Sequence, residues 1–487
     1  MAKNIRTVLQ EGCVNQAAID QYAEEVSAVI GTENVSSNHI DLLSTCRDYW
    51  PVSSIWMLEG AVPALPQLVV WPQTTEEVSQ VLALAHERRI PVVPYGEGSG
   101  ALGGVVPLKG GIMIDMKRMS RIRVLDQENL LVTVECGLNG ALYEEHLNRS
   151  GYTGGHFPQS LRCSTVGGWL ACRAAGQFST RYGKIEDMVV AAEAVLADGT
   201  VFSGRSVPRT STGPRVDQLF IGSEGVLGVI TSATLRIWPL PEKRHLASYT
   251  FENIKDGLET IRLFMRAGIR PAVVRLYDAQ ETGNHFPELG DKRCALIILI
   301  EGAAKIVDAE KEIVEEQALA LGAIDTGPEH VEHWLKTRFN ISVASRLLQK
   351  GAVLDTIEVT TNWHNALTTY LAMQEALKGV AGTMLASGHW SHVYPEGAAL
   401  YITVVGFPGN DKISYYKKLW QEAMAACLAE GAAISHHHGI GLHRGQWMAK
   451  EHGKGLEVFG RIKDAFDPHG IMNPGKLGLG EVEKWQK

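Results

Sequence analysis

Three consecutive histidines, His436, His437 and His438, stand in the stretch ISHHHGIGLHRGQW, residues 434–447, ahead of Gly439 and Gly441. Imidazoles in such a run can hold a metal, exchange protons near neutral pH, or stand as solvated polar side chains. In extended backbone His436 and His438 share one face, while His437 points to the other and reads as structural. A two-histidine metal site on that face is sterically possible, but no carboxylate lies nearby in sequence to complete it. Four further residues have chemistry to offer. They are His156 in GHFPQS, Arg275 in PAVVRLYD, Arg346 in SVASRLL and Tyr401 in AALYITVV. Each has an ordinary use: a loop cap, a structural ion pair, a solvated helix residue, a half-buried core tyrosine. Arg275 is the most demanding, because a guanidinium among apolar strand residues needs an anionic partner.

Three small-residue loops could receive a large anionic ligand. The first, PYGEGSGALGG from Pro94 to Gly104, places five glycines in nine residues and contains a G-x-G-x-x-G from Gly98 to Gly103. A dinucleotide fingerprint of that kind needs a helix to begin within the motif. Here VVPLKGGIMIDM follows and reads as turn and strand, which argues against a nicotinamide site. Consecutive N–H groups in such a loop still make an anion-binding nest, and the alternative is a tight turn between strands. The second region, PQSLRCSTVGGWLACRAAG, offers Ser160, Ser164 and Thr165 as donors beside Gly167 and Gly168. The third, IGSEGVLGVIT, places Ser223, Glu224 and Gly225 ahead of a strand.

The elements that must carry these residues read as an α+β chain. QLVVWP is a buried strand; the following helix has Thr74 and Glu77 spaced as a capping box, with Val78, Val81, Leu82 and Ala85 on one face. IPVVPYG completes a parallel β-α-β unit, and GIMIDM and LLVTVECG continue as strands. MVVAAEAVLADGTV predicts a hairpin turning at Asp198-Gly199. After Pro241 the texture changes to helices (NIKDGLETIRLFMRAG, AEKEIVEEQALALG) alternating with strands (CALIILIEG, AALYITVVGFPG). We therefore expect one domain over 1–242, a second over 243–431, and residues 432–487 packing back on the first.

Bulk properties exclude several classes. A chain of 487 residues exceeds the roughly 250–300 at which single cores divide. A net charge of −8 argues against nucleic acid or a polybasic membrane contact. Seven cysteines (Cys13, Cys46, Cys136, Cys163, Cys172, Cys294, Cys427) include no C-x-x-C, which fits reduced thiols and a cytoplasmic protein. CALIILI is too short to span a bilayer, and neither a signal peptide nor a lipidation or peroxisomal address is seen.

The order of these motifs, the glycine loop, STVGGW with RAAG, YGKIEDMVV, GSEGVLGVIT and DPHGIMNPGK, resembles the FAD-linked oxidases of the vanillyl-alcohol-oxidase superfamily. GHFPQSLRCSTVGGW, SHVYPEGAALY and ISHHHGIG look most like alkyldihydroxyacetonephosphate synthase and its bacterial relatives. The resemblance implies a two-subdomain FAD-binding domain of that superfamily's type, with an inserted α+β cap (substrate) domain. It places FAD against Pro94, Gly96, Glu97, Gly98, Ser99, Gly100, Ala101 and Leu102. Further contacts fall on Pro158, Gln159, Ser160, Ser164, Thr165 and Gly168, then on Cys172, Arg173, Ala174 and Ala175. A last group is Glu224, Gly225, Gly228, Val229 and Ile230. It implies catalytic roles for Tyr401, His156 and the three histidines, with Arg275 and Arg346 on an anionic substrate. Glu97 departs from the pattern, since a carboxylate facing phosphate is repelled. Metal-using relatives carry an H-x-G-D-G-N-x-H segment that is missing here, so no metal is expected. Noncovalent FAD and a homodimer are expected. The implied reaction is oxidation of a carbon bearing oxygen, in a hydroxy acid or related alcohol, with hydride passing to flavin N5. The alternatives are a flavin-borne exchange of acyl for alkyl with no net oxidation, and a flavin subunit serving a separate iron–sulfur partner.

Overall fold

The computed structural model describes residues 3–5, 16–340 and 342–480. Helix and strand are mixed, 41% and 24%, as an α+β chain requires. The first sheet orders its strands Val35–Ser36, Leu68–Val70, Ile112–Asp115 and Val92–Tyr95. Leu68–Val70 and Val92–Tyr95 are parallel as expected, but they are not neighbours: Ile112–Asp115 lies between them and pairs with both. The reason is burial. Ile112, Met113 and Ile114 are fully buried, and a strand apolar on both faces belongs in the middle of a parallel sheet. The helix Thr75–Arg88 is capped by the Thr74 hydroxyl, which accepts from the Glu77 N–H at 3.1 Å, and Glu77 reaches back to the Gln73 N–H at 2.7 Å. Its face of Val78, Val81, Leu82 and Ala85 is buried. The chain's end returns to this sheet: the Val92 N–H donates to Ile471 O and the Asn473 N–H to Val92 O, both at 2.8 Å.

A second, antiparallel sheet runs Val201–Ser203, Val189–Val195, Val229–Arg236, Leu131–Glu135, Ile122–Asp126. The hairpin turns at Asp198-Gly199, with the Leu196 N–H donating to Thr200 O at 2.9 Å. The third sheet has seven strands, in the order Ile324–Asp325, Lys243–Phe251, Cys294–Gly302, Val273–Tyr277, Thr383–Val393, Gly397–Gly406, Val353–Asn362. Cys294–Gly302 explains its unbroken apolar text by facing two cores. Leu296, Ile298 and Ile300 pack with Ile261, Phe264 and Val307 of the covering helices, whereas Ala295, Ile297 and Leu299 share a cluster with Val132, Val134 and Leu235 of the second sheet. Six cysteines are free thiols, and Cys13 lies outside the described residues. Among the described residues no helix is long and apolar enough to cross a membrane.

Candidate active site

The histidine run is not a strand. Ala433 bridges Thr360, and the backbone then bends through His436, His437 and His438. Glu358, fully buried on Val353–Asn362, holds the bend: its carboxylate accepts from the backbone N–H of His436, from that of His438 at 2.8 Å and from Arg444 at 2.7 Å. Arg444 is also fully buried and donates to Glu358 O at 2.9 Å. Gly441 is required by the geometry: at φ +54°, a Cβ there would lie 2.4 Å from Leu102 O.

This bend changes the expected facing. His437 and His438, not His436 and His438, meet at one point: Nε2 of each lies within 3.1 and 2.5 Å of the Tyr401 hydroxyl. His436 turns away, its Nε2 2.7 Å from the Tyr394 hydroxyl and its Nδ1 2.8 Å from Nδ1 of His437. Burial pushes the pKa of His436 and His437 well below the ordinary histidine value and that of His438 down to about 4, against the opposing pull of Glu358. Neutral imidazoles therefore surround Tyr401. Burial also raises the Tyr401 phenol, so a resident phenolate is disfavoured.

Arg275 lies on the strand Val273–Tyr277, separated from the strand of Tyr401 by Thr383–Val393, and its Nη2 donates to Nε2 of His389 at 2.7 Å. His389 was not legible as a site residue. Its Nδ1 lies 2.7 Å from Glu281, and its ring stacks on Tyr401. A guanidinium can only donate, so Nε2 of His389 is the acceptor and Nδ1 carries the proton toward Glu281. Burial lowers the His389 pKa, consistent with that neutral tautomer. Arg275 Nε donates to the Tyr277 hydroxyl at 2.9 Å; among the described residues, no carboxylate lies within ion-pair distance of Arg275 and Nη1 has no acceptor. The partner its strand setting demands is not found among the described carboxylates.

Two expected residues are not brought to this cluster. Arg346 is exposed on the helix Ser342–Gln349, with no described contact to Arg275 or the histidines. His156 is buried against Trp169, ring centroids 4.6 Å apart, and neither ring nitrogen has a partner. Burial pushes its pKa down to about 3. A cation the sequence reading missed is Arg338, caged by the rings of Phe157, Phe178, Trp334 and Phe339. Finally, one nitrogen each of His392, His436 and His437 lies within 4.8 Å of the others, a donor set with no carboxylate in it.

The glycine loops converge beside this cluster. A Cβ on Gly96 would lie 2.4 Å from the Thr165 hydroxyl, Gly225 packs on Pro94, and the Leu102 carbonyl accepts from Leu442 and His443 of the histidine loop. Glu224 accepts from the N–H groups of Ile440 and Gly441 at 2.6 and 2.7 Å. From Glu97 to Leu102, no described residue accepts a hydrogen bond from the six backbone N–H groups. That row of unused donors fits a diphosphate. Glu97 does not spoil it, because Asn139 Nδ2 holds both its carboxylate oxygens at 2.9 and 3.0 Å. Cys172, half-buried, has its thiol pKa raised by desolvation, and so stays protonated.

Residues 66–204 match the FAD binding domain family, and residues 240–477 match the C-terminal domain of FAD linked oxidases. The chain is 35% identical to the FAD-linked oxidoreductase YgcU of Escherichia coli O157:H7, over 95% of this chain and 98% of that one. It is 29% identical to alkyldihydroxyacetonephosphate synthase of Caenorhabditis elegans, over 86% of this chain and 77% of that one. A solved structure of an alkyldihydroxyacetonephosphate synthase shares the fold, with a TM-score of 0.83 at 23% identity, covering 97% of this chain and 88% of the other.

Proposed function

The chain belongs to the FAD-linked oxidases, enzymes with FAD as cofactor, and from that premise we propose that it oxidises an anionic substrate at a carbon bearing oxygen. A hydroxy acid or a related alcohol is the substrate class. The observation carrying this reading is that one phenol, Tyr401, has two neutral imidazoles on its hydroxyl and, one ring away through His389, an arginine without a carboxylate.

Bound FAD supplies the acceptor for the hydride. The rest falls to side chains. Arg275 takes the substrate carboxylate or phosphate through its free Nη1 edge, as a forked guanidinium does well. Tyr401 receives the proton of the substrate hydroxyl while passing its own to Nε2 of His437 or His438. Because burial disfavours both phenolate and imidazolium, the proton is handed on rather than stored. On this reading residues 243–431 cap an FAD-binding part made of 1–242 and 432–487, the FAD is noncovalent, and the protein is a homodimer. His156, with two unused ring nitrogens, serves the cofactor side of the site.

Exchange of acyl for alkyl with no net oxidation is the second reading, favoured by the likeness to alkyldihydroxyacetonephosphate synthase. Anaerobic titration with hydroxy acids separates the two. Bleaching of the flavin band supports oxidation; an unchanged spectrum with every acid, together with incorporation of a labelled long-chain alcohol, supports exchange.

A further inference from the structure

We propose that Tyr401, His437, His436 and Tyr394 form a proton wire that carries the proton released at Tyr401 to the protein surface. The wire rests on the reading of Tyr401 as the group that receives the substrate proton, but the hydrogen-bonded chain stands independently of any substrate. It runs without a gap: Tyr401 hydroxyl to His437 Nε2 at 3.1 Å, His437 Nδ1 to His436 Nδ1 at 2.8 Å, His436 Nε2 to the Tyr394 hydroxyl at 2.7 Å. Both nitrogens of both rings are used, one to receive and one to give.

The proton count closes. If Tyr401 donates to His437, then His437 carries its proton on Nδ1 and donates to His436. His436 in turn carries its proton on Nε2 and donates to Tyr394. When a proton enters at the Tyr401 oxygen, each O–H or N–H bond along the row breaks as the next forms, and one proton leaves from Tyr394. In this single pass no electrons are exchanged and every group ends neutral. It leaves the proton of His437 on Nε2 and that of His436 on Nδ1, and the rings return to the first tautomers before the next turnover. Burial keeps the two imidazoles from holding a second proton, aided by the Lys184 ammonium on the His436 carbonyl at 2.6 Å. The far end is suited to release. Tyr394 is half-buried and Pro395 and Glu396 after it are exposed, while its hydroxyl, whose pKa burial raises, also bonds Ser179 and feels the charges of Glu186 and Asp187.

The backbone supplies a reason for the arrangement. Thr383–Val393 has a register shift between Ser391 and Val393, where His392 adopts φ +50°. A bulge of this kind re-aims the residues beside it. Here it precedes Tyr394 and seats His392 against His436, ring centroids 5.0 Å apart.

The first measurement needs no turnover: nitrogen NMR of the histidine-labelled holoenzyme, with His436 and His437 assigned through single substitutions. A shared Nδ1–Nδ1 hydrogen bond requires one Nδ1–H and one Nε2–H tautomer, and that pair is the expected result. Two Nε2–H tautomers, or one equivalent of zinc retained by those rings after dialysis, would overturn the wire, since both Nδ1 lone pairs would then face a metal. The second is stopped flow with a pH-indicator dye. Tyr394→Phe should slow proton release roughly tenfold or more relative to flavin bleaching, and added imidazole buffer should restore it. Release at the wild-type rate in Tyr394→Phe would equally sink it. Absence of bleaching with any substrate would count against the oxidation reading and leave the tautomer result to judge the wire.

Discussion

His389 and Tyr401 stand directly opposite each other on neighbouring strands, and their rings stack with centroids 5.0 Å apart and planes 14° from parallel. Since His389 also accepts from Arg275 at 2.7 Å, one imidazole stands between the Arg275 guanidinium and the Tyr401 phenol. Glu281 fixes which nitrogen of that imidazole faces Arg275.

Glu281→Gln removes the charge that selects the His389 tautomer, because a glutamine can also donate. Arg275 then loses its aim while Tyr401 keeps its imidazoles. We expect KM for the anionic substrate to rise roughly tenfold, the cost of about 1.4 kcal/mol of lost orientation, with kcat less affected. Steady-state kinetics check this split, and an equal fall in kcat would assign Glu281 to the chemical step instead.

Arg444→Met leaves the Glu358 carboxylate buried with its charge uncompensated. Removing one partner of a buried pair costs roughly 3–5 kcal/mol. Here both partners are fully buried and the same carboxylate holds the backbone of His436 and His438. Denaturant unfolding should show a loss of that order. A change under about 1 kcal/mol would mean that water or a rearranged loop satisfies Glu358.

Much of this architecture was legible from local text. The capping box at Thr74 and Glu77, the Asp198-Gly199 turn and the glycine loops depend on neighbours in sequence, so spacing alone reports them. The setting of Arg275 was also legible, because Ala272, Val273, Val274 and Leu276 around it spell a buried strand. What was hidden depends on register. His389 looks like any histidine until the pairing of Thr383–Val393 with Gly397–Gly406 sets it against Tyr401. The alternation argument failed for His437 because Glu358, some eighty residues earlier, pulls the N–H groups of His436 and His438 inward and bends the chain. The placing of Ile112–Asp115 between two strands that precede it was hidden for the same reason.

FAD should leave the protein on acid precipitation. The thiols near the loops, Cys163 and Cys172, are half-buried with pKa values raised by desolvation, and His156 packs on Trp169. Yellow supernatant and colourless pellet are expected; colour kept in the pellet would reveal a covalent link.

Stability should fall as pH drops from 6.5 toward 4. Nine histidines, His156, His245, His285, His389, His392, His436, His437, His438 and His443, have pKa values lowered by burial, to about 3 for His156 and about 4 for His438. In this window the unfolded chain protonates them and the folded chain does not, so each opposes folding by about 1.4 kcal/mol per pH unit at most. Six carboxyls act in the opposite sense: burial raises Asp48 to about 7 and Asp355 to about 6 and lifts Glu144, Glu224, Asp278 and Glu310 as well, so folding favours their protonated forms at low pH. Nine against six leaves a net loss on acidification. Thermal melts at pH 7, 5.5 and 4.5 should descend in that order, and a flat profile would show that the histidines are more hydrated than their burial indicates.

The sharpest test of the site compares Tyr401→Phe, His437→Ala and His438→Ala. Tyr401→Phe keeps the ring stacked on His389 and removes only the hydroxyl that both imidazoles touch. General acid–base groups contribute roughly 10²–10⁴ in rate, so flavin reduction in a single turnover should slow by that order in Tyr401→Phe while the protein stays yellow. The two histidine variants should divide the effect. Either imidazole can accept from Tyr401, so each single loss should cost less than loss of the phenol, and the double variant should approach it. His436→Ala provides the contrast, because His436 does not touch Tyr401 and its removal interrupts proton export rather than the first transfer. Reduction at the wild-type rate in Tyr401→Phe would remove Tyr401 from the proton path altogether, and with it the reason for reading the histidine run as chemistry.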